Sequence, residues 1–407
     1  MANIRLTRNQ KIRIRNILSI RYNPLDNVRF EKTTSDNLNV KSNDISGLKT
    51  QQLLENAVVD MIPNTSEPIS ISLSAGIDST LSLAIIRKVF PKRKIHAICG
   101  VFENTYDESK TAQKIAEKFD AKFHTVNMDS IFVNLPKLVS ITKRPKWNTY
   151  HHLIAKKANR LSKFYVTGDG ADEIFAGYTF RYQKFLELTK STDSWKQRTE
   201  NYLECHNRDW VPDQKKLFGK SIVFSWPEIF SYFKPFFNNK LSPLQQVFLA
   251  DFNGKLLYDF IPTGQAIGKF YKLKRTSLYL HPNVISFGLS LPTSQKYNKK
   301  NKKGKIVLRK IASRLNIKHI EKKRGFSPSL LLDWKKYGSN ICQKYLDKNA
   351  YIYKKGIISY PWFLQAFEKA EYDGDIRYIN RLISVLALEI WYRIFISKTM
   401  PPQKKLV

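Results

Sequence analysis

The chain has 407 residues, of which 42% are hydrophobic and 13% aromatic, a composition that suits a folded protein with a sizeable core and excludes a disordered one. No run of about twenty uncharged apolar residues occurs, so no membrane span is expected. The formal net charge of +35, from 69 Lys and Arg against 34 Asp and Glu, leaves three readings: an RNA partner, an acidic protein partner, or a solvated basic surface.

Residues 1–51 read as a basic N-terminal extension, with Arg5, Arg8, Lys11, Arg13 and Arg15 spaced by Ile and Leu and no apolar core of a signal peptide. Gln51 to Met61 is expected to be an amphipathic helix, broken by Pro63 to Pro68. Strand and helix then alternate. Ile69 to Leu73 is a short, β-branched apolar run that predicts a strand, and Lys94 to Val101, Lys122 to Val126 and Phe164 to Thr167 are read as further strands. Ser79 to Val89, Glu108 to Phe119 and His152 to Leu161 carry helical spacing. This pattern predicts an α/β fold, a parallel twisted sheet with helices on both faces, over residues 52–190. Beyond about residue 185 aromatic-rich helical segments dominate, so residues 191–407 are expected to form a mainly helical domain that completes an acceptor site. A second basic cluster comprises Lys296, Lys299, Lys300, Lys302, Lys303 and Lys305. Cys99, Cys205 and Cys342 lie far apart and in no CxxC pair, which argues for a reducing interior, a cytoplasmic location, and neither a disulfide frame nor a zinc site.

Two turns carry the chemistry. Leu73-Ser74-Ala75-Gly76-Ile77-Asp78-Ser79-Thr80 joins a strand to a helix. Small residues there let backbone N–H groups and hydroxyls close on phosphate, aided by the positive end of the helix. Asp78 would repel a bare phosphate and makes sense with Mg²⁺ between them. The GxxxxGK[ST] loop of ordinary phosphoryl transfer is absent. The bland alternative is a helix N-cap. The second turn, Val166-Thr167-Gly168-Asp169-Gly170-Ala171-Asp172-Glu173, packs three carboxylates into five residues after a strand. A divalent cation would relieve their repulsion. Both turns are expected at the carboxyl ends of strands, where ligands gather in open α/β sheets. His124, His151 and His152 read as a strand-end histidine and an exposed helix-start pair rather than metal ligands.

With these residues in view, the sequence resembles the asparagine synthetase family. SAGIDST resembles the SGGxDS pyrophosphate loop of the N-type ATP pyrophosphatases, and GDGADEIFAGY resembles the segment that follows in asparagine and β-lactam synthetases. Tyr106-Asp107-Glu108-Ser109, between the two turns, also fits the family, and downstream Gly304-Lys305-Ile306-Val307-Leu308-Arg309, Lys323-Arg324-Gly325-Phe326-Ser327-Pro328 and Leu388-Glu389-Ile390-Trp391 are similar to later family stretches. The resemblance implies an adenine nucleotide α-hydrolase-like fold and an ATP-dependent ligase. Such an enzyme adenylates a small carboxylate and hands the acyl group to ammonia or an amine, releasing AMP and pyrophosphate. It implies that Ser74, Gly76, Asp78, Ser79 and Thr80 hold the leaving phosphates, with Gly168 and Gly170 beside the nucleotide. Leu73 and Val101 would line the adenine pocket, and Asp78 and Asp172 would hold Mg²⁺. Lys323 would neutralise charge on the intermediate, and Asp169 would act in proton transfer.

Two departures stand out. Ala2 follows Met1 where glutamine-using relatives carry a catalytic Cys, so the nitrogen is expected from free ammonia, an acceptor amine or a separate glutamine amidotransferase. Near residue 275 the family's ExRxPFLD block is replaced by Lys274-Arg275-Thr276-Ser277-Leu278-Tyr279-Leu280-His281, which puts aspartate itself in question as the substrate. Two alternatives stay open: the same adenylation applied to a macromolecule such as tRNA, and a non-catalytic nucleic-acid-binding relative.

Overall fold

The computed structural model describes residues 6–39, 42–103, 107–206, 209, 211–317 and 329–407. Five parallel strands form its main sheet: β1 (Ile69–Ser72), β2 (Ile95–Phe102), β3 (Lys122–Met128), β4 (Phe164–Val166) and β5 (Lys274–Thr276), in the order β3-β2-β1-β4-β5. The first four coincide with the predicted strands. The order runs outward from β1 in both directions, so the sheet reverses between β1 and β4. At such a reversal the loops leaving adjacent strands part, one to each face, and open a crevice.

Both faces of the sheet are covered, as its all-parallel pairing requires. Alternate residues of β2 show it: Ala97 and Cys99 enter one apolar cluster with Ile69, Ile71 and Leu83, while Ile98 enters another with Tyr165, Ile154 and Ala158. The helices Leu48–Met61 and Ile77–Val89 supply the first cluster, and the helix His152–Asn159 supplies the second. The helix read from Gln51 begins three residues earlier, at Leu48 behind Gly47, whose φ is 77°.

β5 was not foreseen. Three residues with a net charge of +2 give no apolar run, yet Tyr165 pairs with Arg275 and Val166 with Thr276 at the sheet edge. The strand lies in the stretch expected to be mainly helical, and it carries Arg275 to the crevice. The larger apolar cluster likewise draws on positions from Ile20 to Ile317.

The basic N-terminal stretch folds onto the body. Arg8–Ile20 is a helix, opened by a Thr7–Gln10 capping box, and it buries Ile14, Ile17 and Leu18. Arg15 meets Glu228 at 2.5 Å, and Arg13 meets Asp26 at 2.8 Å. In the second basic cluster Lys296 and Lys305 are buried, while Lys299, Lys300, Lys302 and Lys303 are exposed. Lys296 donates to the carbonyls of Gly288 and Leu289, both at 3.1 Å, at the negative end of the helix Pro282–Ser290. No helix among the described residues is long and apolar enough to cross a membrane.

Candidate active site

The two glycine-rich turns leave β1 and β4 side by side. A Cβ placed on Gly168 would lie 3.3 Å from the Cβ of Asp78, which measures how closely the loops approach. Behind the first turn the helix Ile77–Val89 starts with Gly76 at its N-cap and no side-chain cap, a helix end of the kind that suits an anion. The loop is held by its own hydroxyls. Ser79 Oγ accepts from the Ser74 amide at 3.0 Å, Ser74 Oγ accepts from the Gly76 amide at 3.2 Å, and Thr80 Oγ donates to the Gly76 carbonyl at 2.8 Å. The Ala75 amide donates to Glu108 Oε2 at 3.2 Å. A carboxylate thus sits on an amide of the loop, which is where an anionic ligand oxygen would bind. Burial raises the pKa of Glu108 above the ordinary glutamate value.

The centre of the site is Lys305. Its ammonium pairs with Asp78 from the first turn and with Asp172 Oδ1 from the second, the latter at 2.6 Å. Burial pulls its pKa down, but Asp172 and Asp78 outweigh this and leave it well above the usual lysine range. Lys305 reaches this position from a left-handed backbone, φ 57°, a conformation that costs a non-glycine residue about 1 kcal/mol or more. The approach is so tight that a Cβ on Gly177 would collide with both the Asp172 carboxylate and the Lys305 side chain.

The three clustered carboxylates meet three different side chains. Asp172 faces Lys305. Asp169 pairs with the Arg275 guanidinium, and its carboxylate also accepts from Thr167 Oγ at 3.2 Å. Glu173 is buried and accepts from the Tyr178 hydroxyl at 2.5 Å; burial and then Asp172 push its pKa up to about 7. No group of three or more His, Cys, Asp or Glu side chains able to hold a metal occurs among the described residues. Asp78 and Asp172 remain a pair suited to Mg²⁺, an ion commonly held by one or two carboxylates plus substrate phosphates. Asp78 Oδ1 is buried without a hydrogen-bond partner, a vacancy in its bonding that a cation would fill.

The block that departs from the family pattern turns out to brace both loops. Ser277 Oγ donates to the Asp169 carbonyl at 2.7 Å, and Tyr279 Oη donates to the Asp78 carbonyl at 2.9 Å. Lys274, the residue in the place of a family glutamate, is exposed at the sheet edge, so the charge facing the site is that of Arg275. Arg275 lies against the helix Ile261–Phe270, where a Cβ on Gly264 would collide with its guanidinium.

Leu73 is buried and donates its amide to Ile98. Val101 lines a cavity of about 700 Å³ at the carboxyl ends of β2 and β3, with Asn127, Ser130 and Asp333 among its walls. Gly170 stands at φ 86° as the N-cap of Ala171–Ile174. Lys323 lies outside the described residues, as does Tyr106. The sequence reading missed Lys305 and Arg275 as site residues, although the first stood in the Gly304-to-Arg309 stretch and the second in the departing block. Of the histidines, His152 is buried rather than exposed, because Tyr271 covers it with its hydroxyl 2.7 Å from Nδ1. His124 Nε2 lies 3.0 Å from His96 Nδ1 across β2 and β3.

The protein named "Putative asparagine synthetase (glutamine-hydrolyzing) 2" of Methanocaldococcus jannaschii is 27% identical over 116 residues, covering 27% of this chain and 22% of that protein. The match therefore spans about a fifth of that relative's length. Among solved structures the chain is similar to the NMN synthetase of Francisella tularensis (16% identity, TM-score 0.27, covering 52% of this chain and 93% of that one). It is also similar to the U34-tRNA thiolase NcsA of Methanococcus maripaludis (16% identity, TM-score 0.26, covering 69% and 82%). The family model described as asparagine synthase matches residues 49–393, and the chain belongs to that family.

Proposed function

We propose that this protein is an ATP-dependent amide-forming ligase that adenylates a carboxylate, aspartate or one like it, and passes the acyl group to ammonia or an amine, with AMP and pyrophosphate released. The observation that carries the reading is the meeting of Asp78 and Asp172, from two different strand-end loops, on the single buried ammonium of Lys305. The two carboxylates exceed the ammonium by one negative charge, so a divalent cation bound beside them would supply the positive charge that the oxygens of a pyrophosphate leaving group need, with Lys305 already held at the same point. Ser74, Gly76, Ser79 and Thr80 hold the β- and γ-phosphates in this reading, and Glu108 gives up the Ala75 amide as phosphate enters. Asp78 and Asp172 would hold Mg²⁺, which would supply charge neutralisation at the phosphates. Leu73 and Val101 flank the adenine, next to Gly168 and Gly170. Asp169, oriented by Arg275, takes the proton from the attacking nitrogen, and Lys323 neutralises charge on the acyl-adenylate. The acceptor site falls between the sheet region of residues 52–190 and the region from 191 onward, since Arg275 and Lys305 both come from the latter.

The test is product analysis with ATP, Mg²⁺, ammonium and aspartate. AMP, pyrophosphate and asparagine are expected in equal amounts. ADP in place of AMP would sink the reading, and so would tight ATP binding with no AMP formed across a panel of carboxylates and amines. AMP formed only with another carboxylate would keep the chemistry and replace the acceptor.

A further inference from the structure

Beyond the end of β3 the chain turns at Asp129 and Ser130, and two cavities share these residues in their walls. One is the cavity lined by Val101. The other, of about 310 Å³, lies between the helices Leu135–Thr142 and His152–Asn159, with Tyr271 in its wall and Lys405 at its rim. Lys405 is brought there by Leu406, which is buried and donates its amide to the Val133 carbonyl at 2.9 Å.

Three lysines line this second cavity, half-buried Lys137 and the exposed Lys156 and Lys405. None of them makes an ion pair among the described residues, and Asp129 is the one carboxylate in the lining. Lys137 is half-buried, its Nζ 4.2 Å from the centre of the Phe270 ring. Burial and the neighbouring Lys156 lower its pKa, the response of a cation that has lost water and gained no counter-charge. Buried His152 offers a ring nitrogen without adding charge, because burial, His151, Lys137 and Lys156 push its pKa down to about 3. The remaining wall is Asn134 with Ile131, Leu138, Tyr150 and Leu153. An excess of positive charge over an apolar and aromatic floor, in a walled pocket, is the lining of a small-molecule anion site.

We propose that this pocket binds an oxyanion, a phosphoryl group carried on a small molecule, at a site separate from the pyrophosphate loop. The volume decides for a carried group. A free phosphate ion is only a few times the roughly 30 Å³ share of a water molecule, so it would leave most of the pocket empty, and the apolar wall calls for carbon. The proposal stands on the lining of this pocket and does not depend on the adenylation reading.

Amine-selective acetylation of the whole protein at mildly alkaline pH, read residue by residue by peptide mass spectrometry, tests it. Inorganic phosphate and glycerol 3-phosphate are the probes, with chloride holding the ionic strength constant. Either probe at millimolar concentration is expected to slow acetylation of Lys137 several-fold and to leave exposed Lys240 unchanged. Protection at lower concentration by glycerol 3-phosphate assigns the organic phosphate; equal concentrations assign the free ion. No protection, or equal protection of Lys240, overturns the proposal. In the double variant Lys156→Ala/Lys405→Ala the protection of Lys137 should disappear, and protection that persists there also overturns it. A parallel thermal melt of that variant, at two exposed positions, is expected to match the parent.

Discussion

Lys305 Nζ lies 2.6 Å from Asp172 Oδ1, and the same ammonium meets the Asp78 carboxylate across the crevice between β1 and β4. One lysine therefore stitches together two loops that are separated by about ninety residues of sequence. Removing one partner of a buried ion pair leaves the others uncompensated, at a typical cost of about 3–5 kcal/mol. Lys305→Met is expected to lower the melting temperature by several degrees in metal-free buffer. Added Mg²⁺ should restore part of that loss by taking over the charge between the carboxylates. Mg²⁺ that restores nothing would argue that Asp78 and Asp172 are not a cation pair.

The contact at Gly177 yields a sharper variant. Gly177→Ala adds one methyl group, and that methyl has no room beside Asp172 and Lys305. Its effect should fall on ATP affinity, weakened about tenfold or more, which corresponds to about 1.4 kcal/mol. Equilibrium binding of a fluorescent ATP analogue measures this, and unchanged affinity would mean the loop relaxes freely.

Asp169 and Arg275 form the second pair. Arg275 has only 9% of its side chain exposed, so Asp169→Asn leaves a guanidinium without its counter-charge. This variant is expected to lose stability, whereas Asp169→Asn combined with Arg275→Leu recovers most of it. The double-mutant cycle should show a coupling of about 1 kcal/mol or more. If the two losses simply add, the pair carries no structural weight.

Lys296 predicts a pH dependence. Burial lowers its pKa to about 7, whereas in the unfolded chain a lysine titrates near 10.4. Between these values the unfolded state binds more protons, so folding stability rises as pH increases from about 7 towards 10 and is flat for this group below 7. Lys255, also lowered to about 7 by burial and then Arg21, contributes with the same sign. Denaturant melts across this range should show a shallower rise in Lys296→Met than in the parent, and an identical slope in the two would contradict the assignment.

Much of this could be read from the chain. β1, β2 and β4 announce themselves as short runs rich in β-branched and aromatic residues, and both glycine-rich turns follow such runs directly, whereas β3, in which only Met128 is buried, is legible from its place in the alternation of strand and helix. Asp78, Asp169 and Asp172 stood out because carboxylates beside a phosphate-binding turn ask for a cation. β5 was illegible because an edge strand of three polar residues has no pattern of its own; its pairing with β4 exists only once the helices between them have packed. His152 looked exposed because nothing local hides it, and the ring that does, Tyr271, comes from another helix.

The sequence by itself determined the class of the fold, the places where the chain turns from strand to helix, and the residue types available at those turns, because period, turn chemistry and composition are local properties. Only the tertiary structure decided which charge answers which. Lys305 belongs to a lysine-rich stretch and Arg275 follows another lysine, and nothing within either segment marks the buried residue among its exposed neighbours. Which of them leaves water is settled by the sheet order, the left-handed turn at Lys305 and the room made by Gly177 and Gly264, since only in the folded chain do carboxylates more than a hundred residues away come close enough to repay desolvation.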